Sequence, residues 1–178
     1  MDPEWTLSML RSASPSVEEL EVVNVGGEQL AVVHAMPRLR RLHVNQDDDA
    51  RLAAAPELPP LQRGGTLQHL TVSGVGLRRR TLVSLLRGCA SSLTELQLSV
   101  GTAGDEPWPE CWNELPAVLA ECNLVALRLL QLIRGVHTAE ACSQQKAALR
   151  RVLPKCDVRC TSKRCDGSFV QLPLEHQL

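Results

Sequence analysis

Aromatic side chains are almost missing from this chain, which has one Phe, three Trp and no Tyr in 178 residues. Hydrophobic residues nevertheless make up 44% of the sequence, a share that indicates a folded protein rather than a disordered one. A core with so few aromatic rings must be built from Leu, Val and Ala. That composition favours thin repeated layers over one bulky centre, in a chain long enough for a single ordinary domain.

Three further absences exclude classes of partner and location. The chain has 19 Lys and Arg against 20 Asp and Glu, so it lacks the basic excess that nucleic acid requires. The most apolar stretch, residues 124–133, contains Arg128 and Gln131 and is too short to span a bilayer, so we expect no membrane partner. The N-terminus lacks a basic region followed by an apolar run, and the seven cysteines lack regular pairing distances. We therefore expect a reducing, cytoplasmic or nuclear location with free thiols.

A short leucine motif is what the chain does contain, and its best copy lies in residues 81–98, TLVSLLRGCASSLTELQL. Apolar residues within 82–89 recur at i, i+3, i+4 and i+7, which places them on one face of a helix. The spacing L-x-x-L-x-L then runs from Leu93 to Leu98 and fits a strand that presents alternate side chains to a core. The stretch therefore predicts one helix followed by one strand.

The same motif occurs five times, with starts at 17, 39, 67, 93 and 127, so the intervals are 22, 28, 26 and 34 residues. In the fifth copy a start at Leu124 also fits, but a start at Leu127 leaves a turn after Cys122 like the turn after Cys89. Leucine-rich repeats run roughly 20–29 residues, and stacked units share the core that no single unit can build. The sequence therefore predicts an α/β fold, a short leucine-rich-repeat solenoid with parallel strands on the concave face and helices on the convex face.

We expect three parts along the chain. Residues 1–16 form an N-terminal cap segment, and residues 17–160 form an array of about five repeats plus a closing helix and strand. Residues 161–178 form a loose polar tail. Within the array, the Pro-rich residues 45–65 are predicted to be a loop or a degenerate convex segment, and residues 101–109 an insertion rich in Gly and Pro.

Four segments of the chain resemble the leucine-rich repeats of arthropod F-box/leucine-rich-repeat proteins, namely SVEELEVV, HAMPRLRRLHV, SLLRGCASSLTELQL and LRRVLPKCDV. The resemblance covers roughly residues 5–160 and implies the curved, ribonuclease-inhibitor-like arrangement. In that family an N-terminal F-box helix bundle docks the adaptor subunit of a cullin–RING ubiquitin ligase, and the repeats hold the substrate. The resemblance thus implies a non-catalytic protein–protein interaction module, the substrate-recognition repeats of a ligase receptor.

The adaptor is an expected partner only if an F-box lies upstream, because the 16 residues before Val17 contain no F-box-like segment. The alternative is a stand-alone scaffold or regulatory repeat protein without a ligase link.

The predicted protein-binding surface is the concave face, formed by the residues that flank the fourth and sixth positions of each motif. Rows of side chains at the ~4.8 Å strand spacing would contact the partner. The alternative is a solvated sheet face on which Glu19 and Glu21 pair with Arg41, each pair contributing roughly 0.2–1 kcal/mol. The binding residues are Glu19, Glu21, Arg41, His43, Asn45, His69, Thr71, Ser73, Glu95, Gln97, Ser99 and Gln131, with Val23 and Ile133 beside them.

Acidic and histidine residues suggest two metal sites, neither of which has the spacing of a known ligand set. His43, His69 and Glu95 lie on successive predicted strands but lack strict spacing, so surface histidines are the better interpretation. The acidic run at 47–49 lacks the alternation and the glycine of a calcium loop, and a solvated loop is preferred.

The cysteines give one further metal hypothesis. Cys156, Cys160 and Cys165 form a C-x3-C-x4-C cluster that only the distant His176 could complete, so we favour unpaired thiols over zinc. Cys89 and Cys122, at the ends of the two best predicted helices, are interpreted as small buried apolar residues. No G-x-S-x-G, H-E-x-x-H or phosphate-loop motif is present, and we expect neither catalysis nor a cofactor.

Overall fold

Short helices and strands alternate along the chain. The computed structural model describes residues 3–46, 57–61, 65–74, 77–102, 112–134 and 137–161. Those residues form the elements α1 (Pro3–Ala13), β1 (Glu19–Val23), α2 (Gly27–His34), β2 (Arg41–Gln46), β3 (His69–Gly74), α3 (Arg79–Gly88), β4 (Glu95–Ser99), α4 (Leu115–Glu121), β5 (Leu129–Ile133), α5 (Ala139–Val152) and β6 (Asp157–Cys160). None of these helices is both long and apolar enough to cross a membrane.

The six strands form one parallel sheet in which spatial order follows sequence order, from β1 to β6. The fourth residue of each predicted motif pairs with its counterpart in the next strand. This row runs Leu20, Leu42, Leu70, Leu96, Leu130 and Val158. The register confirms the preferred start of the fifth motif at Leu127, because Leu130 and not Leu127 aligns with Leu96. Each of the five motif strands starts two residues after its motif does, since the first motif position lies in the preceding turn.

The core lies between the helices and one face of the sheet. In β2 to β5 the fourth and sixth motif positions are all buried, and they form one apolar cluster with residues from the helices. Fully buried helical residues include Leu30 of α2, Leu86 of α3, Leu119 of α4 and Leu149 of α5. Because the helices cover this face, the other face of the sheet is left to polar side chains.

The predicted N-terminal cap segment, residues 1–16, contains α1, whose apolar residues divide into two groups. Leu7 and Leu10 are buried and α1 packs against α2, as a terminal helix should when it covers the end of a core. Trp5 is 54% exposed, so this ring is not part of that contact surface to any large extent. At the other end, Leu149 and Leu153 are buried as expected for the last helix, whereas Val152 is 37% exposed.

Much of the predicted loop and tail sequence lies outside the described residues. This applies to residues 47–56 and 62–64 of the Pro-rich segment, to the acidic run at 47–49, to most of the insertion at 101–109, and to 162–178. Residues 45 and 46, which were predicted to start the loop, belong instead to β2. They extend that strand because their partners in β3, Ser73 and Gly74, continue the ladder.

Hydroxyl side chains connect neighbouring units at the start of the strands. Thr66 Oγ1 donates to the Leu39 carbonyl at 2.9 Å, and Ser92 Oγ donates to the Leu67 carbonyl at 2.8 Å. Thr94 Oγ1 makes the same kind of bond, 3.0 Å long, to the carbonyl of Gln68. The first two bonds satisfy carbonyls that lie before the sheet ladder begins, and the third adds to the backbone bonds that the Gln68 carbonyl already accepts.

His34 makes stability depend on pH. It ends α2, is buried, and its Nε2 lies 3.1 Å from the Pro59 carbonyl, to which the neutral ring donates a hydrogen bond. Burial lowers the pKa of His34 below its usual 6.5, although the Pro59 bond opposes the shift. The unfolded chain therefore binds more protons, and the free energy of unfolding should fall as pH drops below about 6.5, by at most ~1.4 kcal/mol per pH unit.

Urea unfolding at pH 7.5 and pH 5.5 tests this expectation. His34→Gln keeps a donor for Pro59 but does not titrate, so the variant should lose less stability than the parent over this interval. The other histidines contribute equally to both proteins and cancel in the comparison. An identical loss in parent and variant would contradict the assignment.

Candidate interaction surface

We call the sheet face that points away from the helices the open face. All twelve predicted binding residues lie on it, in β1 to β5. Eleven of them are exposed or half-buried, and the exception is Gln131, which is 8% exposed. Gln131 aligns with Gln97 on one side and Arg159 on the other, two long side chains in register with it. Sequence position alone gave no reason to separate it from the other eleven.

Strand register arranges the open face into two rows that cross the whole sheet. The first row runs Glu19, Arg41, His69, Glu95, Leu129 and Asp157. The second row runs Glu21, His43, Thr71, Gln97, Gln131 and Arg159. A third, shorter row contains the pairs of Val23 with Asn45, Asn45 with Ser73, and Ser99 with Ile133. Acidic, basic and neutral polar groups therefore alternate across the surface.

A chain of three polar side chains in contact, Glu21, His43 and Ser73, crosses β1, β2 and β3. His43 Nε2 lies 2.8 Å from Ser73 Oγ, and His43 Nδ1 lies 3.4 Å from Glu21 Oε1. Glu21 thus contacts His43, whereas the solvated-face alternative paired it with Arg41. The sequence showed no nucleophile–base–orienter set, but the register brings Ser, His and Glu together because Ser73 follows Thr71, the partner of His43.

This chain of side chains has the residue order of a catalytic triad but not its environment. The Glu21 side chain is 61% exposed, whereas the orienting acid of a Ser–His–acid triad is buried. An exposed carboxylate is screened by water and holds an imidazole weakly. The arrangement fits a polar network that orients His43 on the open face.

The second histidine of the face has a separate partner. His69 Nε2 lies 3.6 Å from Glu95 Oε1 on the neighbouring strand. His43, in contrast, contacts Glu21 and Ser73. Within the described ranges, the only group of three ligand-type side chains close enough for a metal does not include His43, His69 or Glu95. The structure therefore does not bring His43, His69 and Glu95 together as one ligand group, which was the less favoured of the two interpretations.

The cysteines fall into two environments. Cys89 and Cys122 end α3 and α4, are 2% exposed and belong to the apolar core, as predicted. Burial raises the pKa of Cys89 to about 12 and that of Cys122 to about 11, so both remain protonated thiols. Cys160, which the sequence grouped with Cys156, lies instead beside His137 and Cys142.

The proposed completion of the cysteine cluster, Cys165 and His176, lies outside the described residues. Sequence reasoning missed His137 and Cys142 because neither is near Cys160 in the chain. The inward position of Cys160 in β6 and the position of Cys142 near the start of α5 were the available signals.

Comparison with known proteins gives no match to any family model, to any curated protein sequence, or to any solved structure.

Proposed function

We propose that the chain is a short leucine-rich-repeat array whose open face is concave and binds another protein without catalysis. Three features support the repeat interpretation: the motif recurs in register, strand order follows sequence order, and a helix precedes β2, β4, β5 and β6. Parallel strands of four to six residues joined by short helices are the expected product of stacked repeats.

The two complete rows of side chains on the open face carry the functional part of the proposal. Six strands at about 4.8 Å spacing present a surface about 24 Å wide. The helices leave this surface uncovered, and its members are mostly polar. A partner with mixed charge and several hydrogen-bonding groups suits it better than an apolar ligand or a nucleic acid.

The resemblance to F-box/leucine-rich-repeat proteins suggests a more specific role. On that basis we propose that the array holds the substrate of a ubiquitin-ligase receptor in the cytoplasm or nucleus. The ligase adaptor would be a partner only through an F-box encoded upstream. Co-expression of the complete gene product with the adaptor tests this part, because failure to co-purify would leave a stand-alone repeat scaffold as the function.

Gln97→Arg is the sharpest test of the open face. Gln97 is half-buried in β4, at the middle of the second row, and a guanidinium there adds bulk and charge without entering the core. Affinity for the partner should fall at least about tenfold, the range expected for a central interface residue. Affinity capture from the source organism, with parent and variant as baits, measures the loss.

Gln144→Arg is the matched control, because Gln144 is exposed on α5, on the helical side of the molecule. Proteins recovered with the parent and this control, but lost with Gln97→Arg, are open-face partners. If Gln144→Arg abolishes binding and Gln97→Arg does not, the partner binds the helices and the proposal is wrong.

A further inference from the structure

Three metal-ligating side chains meet at the C-terminal end of the sheet. His137 lies just before α5, Cys142 lies in the first turns of α5, and Cys160 ends β6. Their ligand atoms all lie within 4.8 Å of one another, and Cys160 Sγ is 3.7 Å from His137 Nε2. His137 and Cys142 are close in the sequence, whereas Cys160 comes from the following strand, so the packing of α5 on β6 brings the third ligand to the other two.

The spacing of these atoms matches a known coordination geometry. Zinc binds thiolate sulfur at about 2.3 Å and imidazole nitrogen at about 2.0–2.1 Å. In a tetrahedral site these bond lengths place sulfur and nitrogen about 3.6 Å apart and two sulfurs about 3.8 Å apart. The observed 3.7 Å between Cys160 and His137 is close to the first value. Small side-chain rotations would be enough to bring all three donors onto one ion.

These two cysteines differ from the other buried thiols in the residues that they pack against. Cys142 is 0% exposed and Cys160 is 4% exposed, yet neither belongs to the apolar core cluster that includes Cys89, Cys122 and Cys156. His137 is half-buried beside them, which leaves a route by which an ion could reach the site from solvent.

The local charges also favour an ion with thiolate ligands. Cys142 lies near the N-terminus of the 14-residue helix α5, where the helix dipole stabilises negative charge. Thiolate and imidazole donors select zinc and similar thiophilic cations over calcium and magnesium, which prefer oxygen. Three protein ligands leave the fourth position of a tetrahedral ion to water or to another donor.

We propose that His137, Cys142 and Cys160 bind one zinc ion or a similar thiophilic divalent cation. The ion would join the start of α5 to the last strand of the sheet and hold the C-terminal end of the core closed. This assignment departs from the sequence-based expectation that the chain binds no metal, and it uses a different ligand set from the Cys156–Cys160–Cys165 cluster considered there.

Cobalt and zinc binding to the full chain tests the proposal. The protein is purified under reducing conditions, freed of metal with a chelator and titrated with Co²⁺. One equivalent should give the absorption bands of thiolate-bound cobalt, zinc should displace it, and saturating zinc should raise the melting temperature. A titration without these bands, or without a stoichiometric end point, overturns the proposal.

Variants locate the site. Cys142→Ser and Cys160→Ser should each weaken binding at least about 100-fold, since even outer-shell partners of a metal are worth 10–100-fold. His137→Gln should weaken metal binding to the same extent. Because His137 is half-buried, this variant should fold even if the two buried cysteine variants do not. Cys156→Ser is the matched control, because Cys156 is buried in the same region but belongs to the core.

Two outcomes count against this ligand set. Loss of binding in Cys156→Ser with retention in Cys142→Ser would place the metal elsewhere. Mass spectrometry of metal-free protein purified without reductant that shows a Cys142–Cys160 disulfide, together with no metal uptake after reduction, would assign the pair to thiol chemistry instead.

Discussion

Leu96→Ala is expected to lower the free energy of unfolding by about 2–5 kcal/mol, the cost of removing a fully buried leucine and leaving a cavity. Leu96 is 0% exposed and lies in β4, where it aligns with Leu70 on one side and Leu130 on the other. A folded domain has a total stability of about 5–15 kcal/mol, so the variant should lose a large fraction of it. Urea unfolding at constant pH measures the difference.

Leu129→Ala is the matched control, since it removes the same atoms from a strand. Leu129 is half-buried on the open face and pairs with Glu95, so its truncation should cost less than about 1 kcal/mol. The comparison also tests the register of β5. In the alternative register, which starts at Leu124, Leu129 would be a core residue, and the two variants would lose similar amounts of stability.

Gly74→Ala should destabilise the protein by about 2–4 kcal/mol, through a backbone cost and a steric cost. Gly74 ends β3 with φ of +74°, a left-handed conformation that alanine adopts poorly. A Cβ there would lie 2.8 Å from Asn45 Oδ1 and closer still to the Gln46 carbonyl oxygen. Gln46 is fully buried, so its backbone has little room to move. Thermal or urea unfolding gives the magnitude.

Gly26→Ala serves as the control for that substitution. Gly26 precedes α2 with φ of −79°, and a Cβ there would meet only Gln29 Oε1, at an ordinary 3.7 Å. Gly26 is the N-cap of α2, where alanine is less favourable than glycine, so the control should cost no more than about 1 kcal/mol. Equal effects of the two substitutions would show that the turn after β3 adjusts to a side chain, contrary to the strain described.

The sequence was sufficient to predict five of the strands and their core-facing residues, because apolar spacing reports directly which side chains are buried. It also resolved the register at Leu130, where two alternatives existed and the comparison of turns after Cys89 and Cys122 decided correctly. The closing strand, β6, was predicted with the same bounds that the structure gives, Asp157–Cys160.

Contacts that depend on side-chain geometry could not be predicted in the same way. The contacts of His43 with Glu21 and Ser73 depend on how β1, β2 and β3 align, and these strands are 22 and 28 residues apart in the sequence. Even when the alignment is known, a position in a row does not say which neighbour the ring will contact. The cluster of His137, Cys142 and Cys160 needs the packing of α5 on β6, which no local spacing encodes. For the same reason, the burial of Gln131 was not foreseen.

The order of the strands has a consequence for how the molecule opens. Because each strand pairs only with the one before it and the one after it, removing an end strand leaves the remaining ladder intact. Partial unfolding should therefore begin at β1 or β6 and move inward, and backbone amides should exchange with deuterium fastest at the two edges and slowest in β3 and β4.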